Sequence, residues 1–116
     1  MKKLLLLAGD GIGPEIMQQA KKLIALFQEK GLQLQIDEAL IGGCAVDKYG
    51  SPYPEETKIK AANSDVILLG AVGGYKWDNL PRPQRPETGL LEIRRHLQLF
   101  ANLRPAKIIR GLENRS

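Results

Sequence analysis

Apolar positions along this chain alternate between short unbroken runs and a helical spacing. Residues 3–8 are a lysine, four leucines and an alanine, the run expected of a parallel strand buried on both faces. Residues 14–30 then set Ile16, Met17, Ala20, Leu23, Ile24 and Phe27 at helical spacing, with Gln18, Lys21, Lys22 and Glu29 outside that stripe. Pro14 suits the first turn of this helix and Gly31 its stop. Residues 32–40 alternate Leu32, Leu34 and Ile36 with Gln33, Gln35 and Asp37, which predicts a half-exposed strand. A short helix over residues 44–49 ends at Gly50, Pro52 and Pro54 mark a turn, and residues 55–63 read as a further helix. Residues 66–71 are a second wholly apolar strand, followed by a loop over 73–86 with prolines at 81, 83 and 86. A loop of that length in a compact domain is usually functional or disordered. Strands alternating with helices predict an α/β fold, an open and mostly parallel sheet flanked by helices. There is no internal repeat and no low-complexity tract.

The next segment mixes its chemistry on one helical face. Glu87 stands at the entry to a face that continues through Leu90, Leu91, Arg94 and Leu97. A core stripe would be apolar throughout; this one suits a small ligand with an anionic end and a branched aliphatic end. Arg104 precedes Pro105 and is biased toward an extended, strand-like backbone. Two guanidiniums on successive elements can clamp carboxylates through bidentate, charge-assisted hydrogen bonds. The plainer reading makes Arg94 and Arg95 a solvated pair and Arg104 a surface charge, with Glu87 favouring the positive end of its helix. Spacing leaves both open.

Gly9, Gly11 and Gly13 follow a strand and open a helix, but the spacing G-x-G-x-G differs from the dinucleotide fingerprint G-x-G-x-x-G. Glu15 in the first helical turn would repel a pyrophosphate there, and no Gly-Lys-Ser/Thr follows to make a P-loop. The residues predict a tight strand-to-helix turn at the carboxyl end of a strand. Trp77, the single tryptophan, is either a loop anchor or a cofactor contact. His96, the single histidine, reads as a surface residue beside Arg95 rather than a catalyst.

Composition narrows the partners. The net charge of +4 and pI near 9.3 come from scattered lysines and arginines, and aromatics are only 5%, too few for a base-stacking platform. No nucleic-acid partner is expected. The single Cys44 excludes an internal disulfide and a cysteine-based zinc site, and reads as a packing residue. Lys2 and Lys3 ahead of four leucines imitate a signal peptide, but the run stops at Ala8-Gly9-Asp10. No run approaches membrane-spanning length, so no membrane partner is expected and the cytoplasm is the expected compartment.

Four motifs in order carry a resemblance. Gly9-Asp10-Gly11-Ile12-Gly13-Pro14-Glu15, Ile41-Gly42-Gly43-Cys44-Ala45-Val46-Asp47, the segment from Leu68 to Asp78, and Glu87-Thr88-Gly89-Leu90-Leu91 through Arg94 to Asn102-Leu103-Arg104-Pro105 together resemble the β-decarboxylating dehydrogenases. The likeness is strongest to the isopropylmalate branch. It implies an open parallel sheet that binds NAD without a Rossmann fold of the usual kind, incomplete in this chain. Residues 1–99 would be the N-terminal part of a first, cofactor and substrate, domain, and residues 100–116 the start of a second, dimerisation domain.

The resemblance also implies roles. Arg94 and Arg104 match the arginines that bind the malate carboxylates, and Leu90 and Leu91 match the wall around the isopropyl group. Glu87 matches a carboxylate between that group and the nicotinamide, and Ile12, Gly73 and Gly74 match cofactor contacts. Tyr75 stands where the family often has proline. The implied reaction is NAD-dependent oxidative decarboxylation of 3-isopropylmalate to 2-oxo-4-methylpentanoate in leucine biosynthesis, by a homodimer. The implied magnesium or manganese ligands and the catalytic residues lie outside this chain, so these 116 residues alone are expected to be inactive. The alternatives are an inactive fragment that binds small 2-hydroxy dicarboxylates, or a relative acting on isocitrate, homoisocitrate or tartrate.

Overall fold

The four-leucine run becomes the centre of the sheet. In the computed structural model, which describes residues 1–115, β1 (Lys2–Gly9) lies between β2 (Leu34–Glu38) and β3 (Val66–Ala71), and both pairings are parallel. Side chains along a strand alternate between faces. Leu5 and Leu7 join Ile41, Tyr53, Ala61 and Ile93 in the larger core, with Ile67 and Leu69 of β3 in register beside them. Ala61 comes from α3 (Glu55–Ala62) and Ile93 from α4 (Pro86–His96). Leu4 and Leu6 point the other way, onto Met17, Ala20 and Ile24 of α1 (Gly13–Glu29). Leu5 and Leu7 are fully buried, and each such side chain contributes roughly 1.5–3 kcal/mol of burial free energy.

The three strands and four helices expected up to residue 97 all form, and three differences stand out. First, the apolar stripe of α1 is wider than the face it buries: Ile16, Leu23 and Phe27 stay 46–55% exposed, because one helix covers only part of the sheet. Second, β3 has the expected bounds but is an edge strand, so Val66 and Leu68 keep 58% and 38% exposure. The alternating strand predicted over 32–40 is likewise an edge, β2, and shortens to Leu34–Glu38 with Ile36 38% exposed. Third, the strand-like segment around Arg104 forms no strand. Residues 99–109 are exposed and irregular, since no sheet edge donates to them and Pro105 has no N–H to offer.

The short helix α2 (Gly43–Tyr49) ends as its sequence predicts, with Gly50 in the left-handed region at φ 76°. It sits between the end of β2 and the turn at Pro52, and its N-terminus faces the carboxyl ends of β1 and β3.

Candidate functional site

Strand order sets where a ligand can enter. β1 connects to β2 on one side, and the chain then crosses to β3 on the other. The crevice beyond the carboxyl ends of β1 and β3 is therefore the topological switch point, the place where open α/β sheets bind ligands. The glycine turn lies there. A Cβ on Gly13 would stand 2.0 Å from the Ala8 carbonyl oxygen, so only glycine lets α1 start this close to the sheet. The Gly13 N–H donates to the Asp10 carbonyl at 2.8 Å and the Asp10 N–H to the Ala71 carbonyl at 2.6 Å, which locks the turn onto the end of β3.

Asp10 is the organiser of this end of the sheet. It is buried, at 4% exposure. Its Oδ2 accepts from the Gly43 N–H at 2.6 Å and the Gly73 N–H at 2.9 Å, and its Oδ1 from the Cys44 N–H at 2.8 Å. One carboxylate thus ties the β1 turn, the start of α2 and the loop after β3. With its oxygens taken by three backbone donors, Asp10 serves as an internal anchor. Nothing in the pattern of apolar positions marks it. The available signal is an acid among glycines directly after a buried strand.

Gly73 and Glu87 meet across the crevice. Gly73 has φ 101°, and a Cβ there would lie 2.6 Å from Glu87 Oε1, so the Glu87 carboxylate rests against the Gly73 backbone. Gly11 borders the same place: a Cβ on it would be 3.8 Å from the Gly73 carbonyl oxygen. The adjoining Ile12 is 64% exposed at the start of α1. The structure therefore gathers Glu87 and Gly73 at one crevice, with Ile12 and Gly74 as chain neighbours of its glycines.

Along α4 the two leucines part company. Leu90 is half-buried and packs against the larger core. Leu91 is 63% exposed and shares a concavity of about 490 Å³ with Glu87, Thr88, Arg82 and Arg85. Arg94 is exposed one turn further on, beside a hollow of about 190 Å³ formed with residues 99–102. Arg104 is exposed too, and among the described residues no hydrogen bond or ion pair ties it to α4. Glu87, Leu91 and Arg94 line one helical face as the spacing predicts, while the paired guanidinium clamp is not assembled.

Other residues resolve differently from their sequence reading. His96 is exposed, as expected, but it has a partner: the Tyr53 hydroxyl lies 2.7 Å from its Nδ1. Tyr53 itself is fully buried. Burial first, then the charges of Glu92 and Glu55, push its hydroxyl up to about 12. Trp77 is a loop anchor, packed against Gly43 and donating its indole N–H to Asp47 at 3.1 Å.

Cys44 is a packing residue. Its Sγ lies 3.3 Å from the Ile41 carbonyl, and burial, then the Asp10 charge, push the thiol up. Since the thiolate is the reactive form, the native thiol is expected to react with a disulfide reagent at pH 8 at least about tenfold slower than the same thiol in denaturant. Equal time courses would sink the packing assignment.

An open parallel α/β sheet with a glycine turn and a buried acid at its switch point defines an α/β protein with a ligand crevice at the carboxyl ends of its strands. The chain belongs to the isocitrate/isopropylmalate dehydrogenase family, whose sequence model matches residues 3–116. It is 57% identical over 114 residues to the 3-isopropylmalate dehydrogenase of Nitrosomonas europaea, covering 98% of this chain and 32% of that protein. It is 59% identical over 104 residues to that of Synechocystis, covering 89% and 29%. The fold is similar to a β-decarboxylating dehydrogenase from Thermococcus kodakarensis, with TM-score 0.66 and 25% identity over 86% of this chain and 28% of that one. The chain thus spans about a third of the length of the curated relatives it matches.

Proposed function

We propose that this chain is the N-terminal part of an NAD-dependent 3-isopropylmalate dehydrogenase, which oxidises and decarboxylates its substrate to 2-oxo-4-methylpentanoate in leucine biosynthesis. Residues 1–99 belong to the cofactor and substrate domain and residues 100–116 open the dimerisation domain of a cytoplasmic homodimer. The observation that carries the reading is the face of α4, where Glu87 reaches the Gly73 backbone, Leu91 stands exposed beside it, and Arg94 follows one turn on. Similarity to relatives named 3-isopropylmalate dehydrogenase supports the substrate.

On this reading, NAD would supply the acceptor for a hydride from the hydroxyl-bearing carbon. Arg94 holds a substrate carboxylate and so keeps that carbon in register for transfer. Leu91, with Leu90 behind it, offers the isopropyl group an apolar wall. Glu87 adds a negative charge that disfavours a third carboxylate at that position, which separates isopropylmalate from isocitrate. Resting against Gly73, it would also favour the positive charge of a nicotinamide held nearby. The Gly73 backbone, which a side chain would push into Glu87, fits a cofactor approaching there. Among the described residues no three His, Cys, Asp or Glu side chains are grouped so that they could hold a metal ion. Also among them, no helix is long and apolar enough to cross a membrane.

Arg94→Ala in the full-length enzyme is expected to lower kcat/KM for isopropylmalate about 100-fold or more, the scale of a lost charge-assisted carboxylate contact. Arg94→Lys should recover only part of it. Unchanged kinetics would remove Arg94 from the site. Equal kcat/KM for isocitrate and isopropylmalate in the parent would overturn the substrate assignment.

A further inference from the structure

Residues 73–85 contain no α-helix or strand, yet their first part is held to α2 at two separate places. At the start, the Gly73 and Gly43 N–H groups share Asp10 Oδ2. Four residues on, the Trp77 indole fills the space that a side chain on Gly43 would need, since a Cβ there would sit 2.2 Å from the ring. One helical turn along α2, Asp47 completes the contact. Its Oδ1 accepts from Trp77 Nε1–H at 3.1 Å and its Oδ2 from the Lys76 ammonium at 2.8 Å. Lys76 also lies 5.5 Å from the centre of the Trp77 ring. Lys76, then Trp77, hold the Asp47 carboxyl below the usual carboxylate range. The chemistry proposed above uses none of these three side chains.

We propose that Asp47 is a positioning residue: by accepting from both Lys76 and Trp77 it clamps the loop after β3 onto α2 and so sets the Gly73-Gly74 backbone at the crevice. The role at the crevice rests on the reading of Gly73 and Gly74 as cofactor contacts. The physical need is plain. Two adjacent glycines give this loop more backbone freedom than any other residue pair would, and only contacts beyond them can restrict it. Asp47 suits the task because each of its two oxygens takes one donor, and an ionised acceptor makes the stronger hydrogen bonds. Gly43 and Asp47, four residues apart, present one face of α2 to the loop.

Trp77 is the only tryptophan of the 116 residues, so its fluorescence reports the clamp without a label. Asp47→Ala is expected to shift Trp77 emission to the red and raise acrylamide quenching about threefold, with the far-ultraviolet circular dichroism unchanged. Asp47→Asn keeps an oxygen for the indole N–H and is expected to restore most of the parent emission. Parent-like emission and quenching in Asp47→Ala would overturn the clamp. Should Asp47→Ala misfold, Lys76→Ala, at a side chain 69% exposed, is expected to raise quenching about twofold, and no change there overturns the clamp equally. Titration of the full-length enzyme with NADH tests the consequence: Asp47→Ala is expected to weaken binding about tenfold. Shifted emission with unchanged NADH affinity overturns the positioning role. A full-length parent that does not bind NADH overturns the cofactor reading itself, and the emission of the variants still decides the clamp.

Discussion

Asp10→Ala is expected to lower the unfolding free energy by roughly 3 kcal/mol or more, because it leaves three backbone N–H groups without their acceptor and each buried orphan costs about 1–3 kcal/mol. The Gly43, Cys44 and Gly73 donors come from two distant segments, so the loss is not local. The start of α2 and the loop after β3 should both loosen while β1 still pairs with its neighbours. Domains of this size have only about 5–15 kcal/mol in total, so the variant should melt well below the parent. Asp10→Asn retains one carbonyl oxygen and turns an NH2 group toward a donor, so it should recover only part of the loss. Urea unfolding of the three proteins, compared at equal m-value, measures this. An alanine variant within about 0.5 kcal/mol of the parent, the range of an ordinary surface substitution, would show that Asp10 anchors nothing.

Tyr53→Ala comes next, with an expected loss of about 3–5 kcal/mol, the range for removing a buried aromatic ring. Tyr53 is fully buried between Ile41, Ala61 and Ile93, so its removal opens a cavity where three segments meet. Tyr53→Phe keeps the ring and loses only the bond to His96, for roughly 1 kcal/mol. The pair of variants therefore separates packing from hydrogen bonding. Tyr53 also sets a pH dependence. Its hydroxyl is pushed up from 10.0 to about 12 by burial and by Glu92 and Glu55. As pH rises past 10 the unfolded chain gives up this proton first, so stability falls between pH 10 and about 12. In Tyr53→Phe that part of the decline should vanish. Parallel pH profiles for parent and Phe variant between pH 9 and about 12 would refute the assignment.

The fold was legible where a residue's role depends on its own neighbours in sequence. The apolar run at 66–71 predicts β3 to the residue, and Gly50 predicts the end of α2. Burial was less legible, because an apolar strand looks the same at the centre and at the edge; Val66 and Leu4 differ only in having a neighbour on one side or two. The candidate site divides in the same way. Glu87, Leu91 and Arg94 share a helical face that spacing alone can place. Asp10, Asp47 and Tyr53 act across sequence separations of 29–63 residues, and no periodicity encodes such partners. Arg104 shows the converse: its motif matches the family closely, but the segment around it has no structure of its own to hold the guanidinium against α4.

The central place of β1 has a consequence in time. It is made before both strands that flank it, and its second neighbour arrives late: Lys3 at its start bonds Asp65, 62 residues on. Closing a loop of that length is slow compared with forming a helix. A nascent chain therefore carries four consecutive leucines with unpaired backbone on both sides, a segment suited to pairing with another copy of itself. Lys2 and Lys3, exposed at the head of the strand, put like charges side by side in any in-register pairing of two such copies, which opposes it.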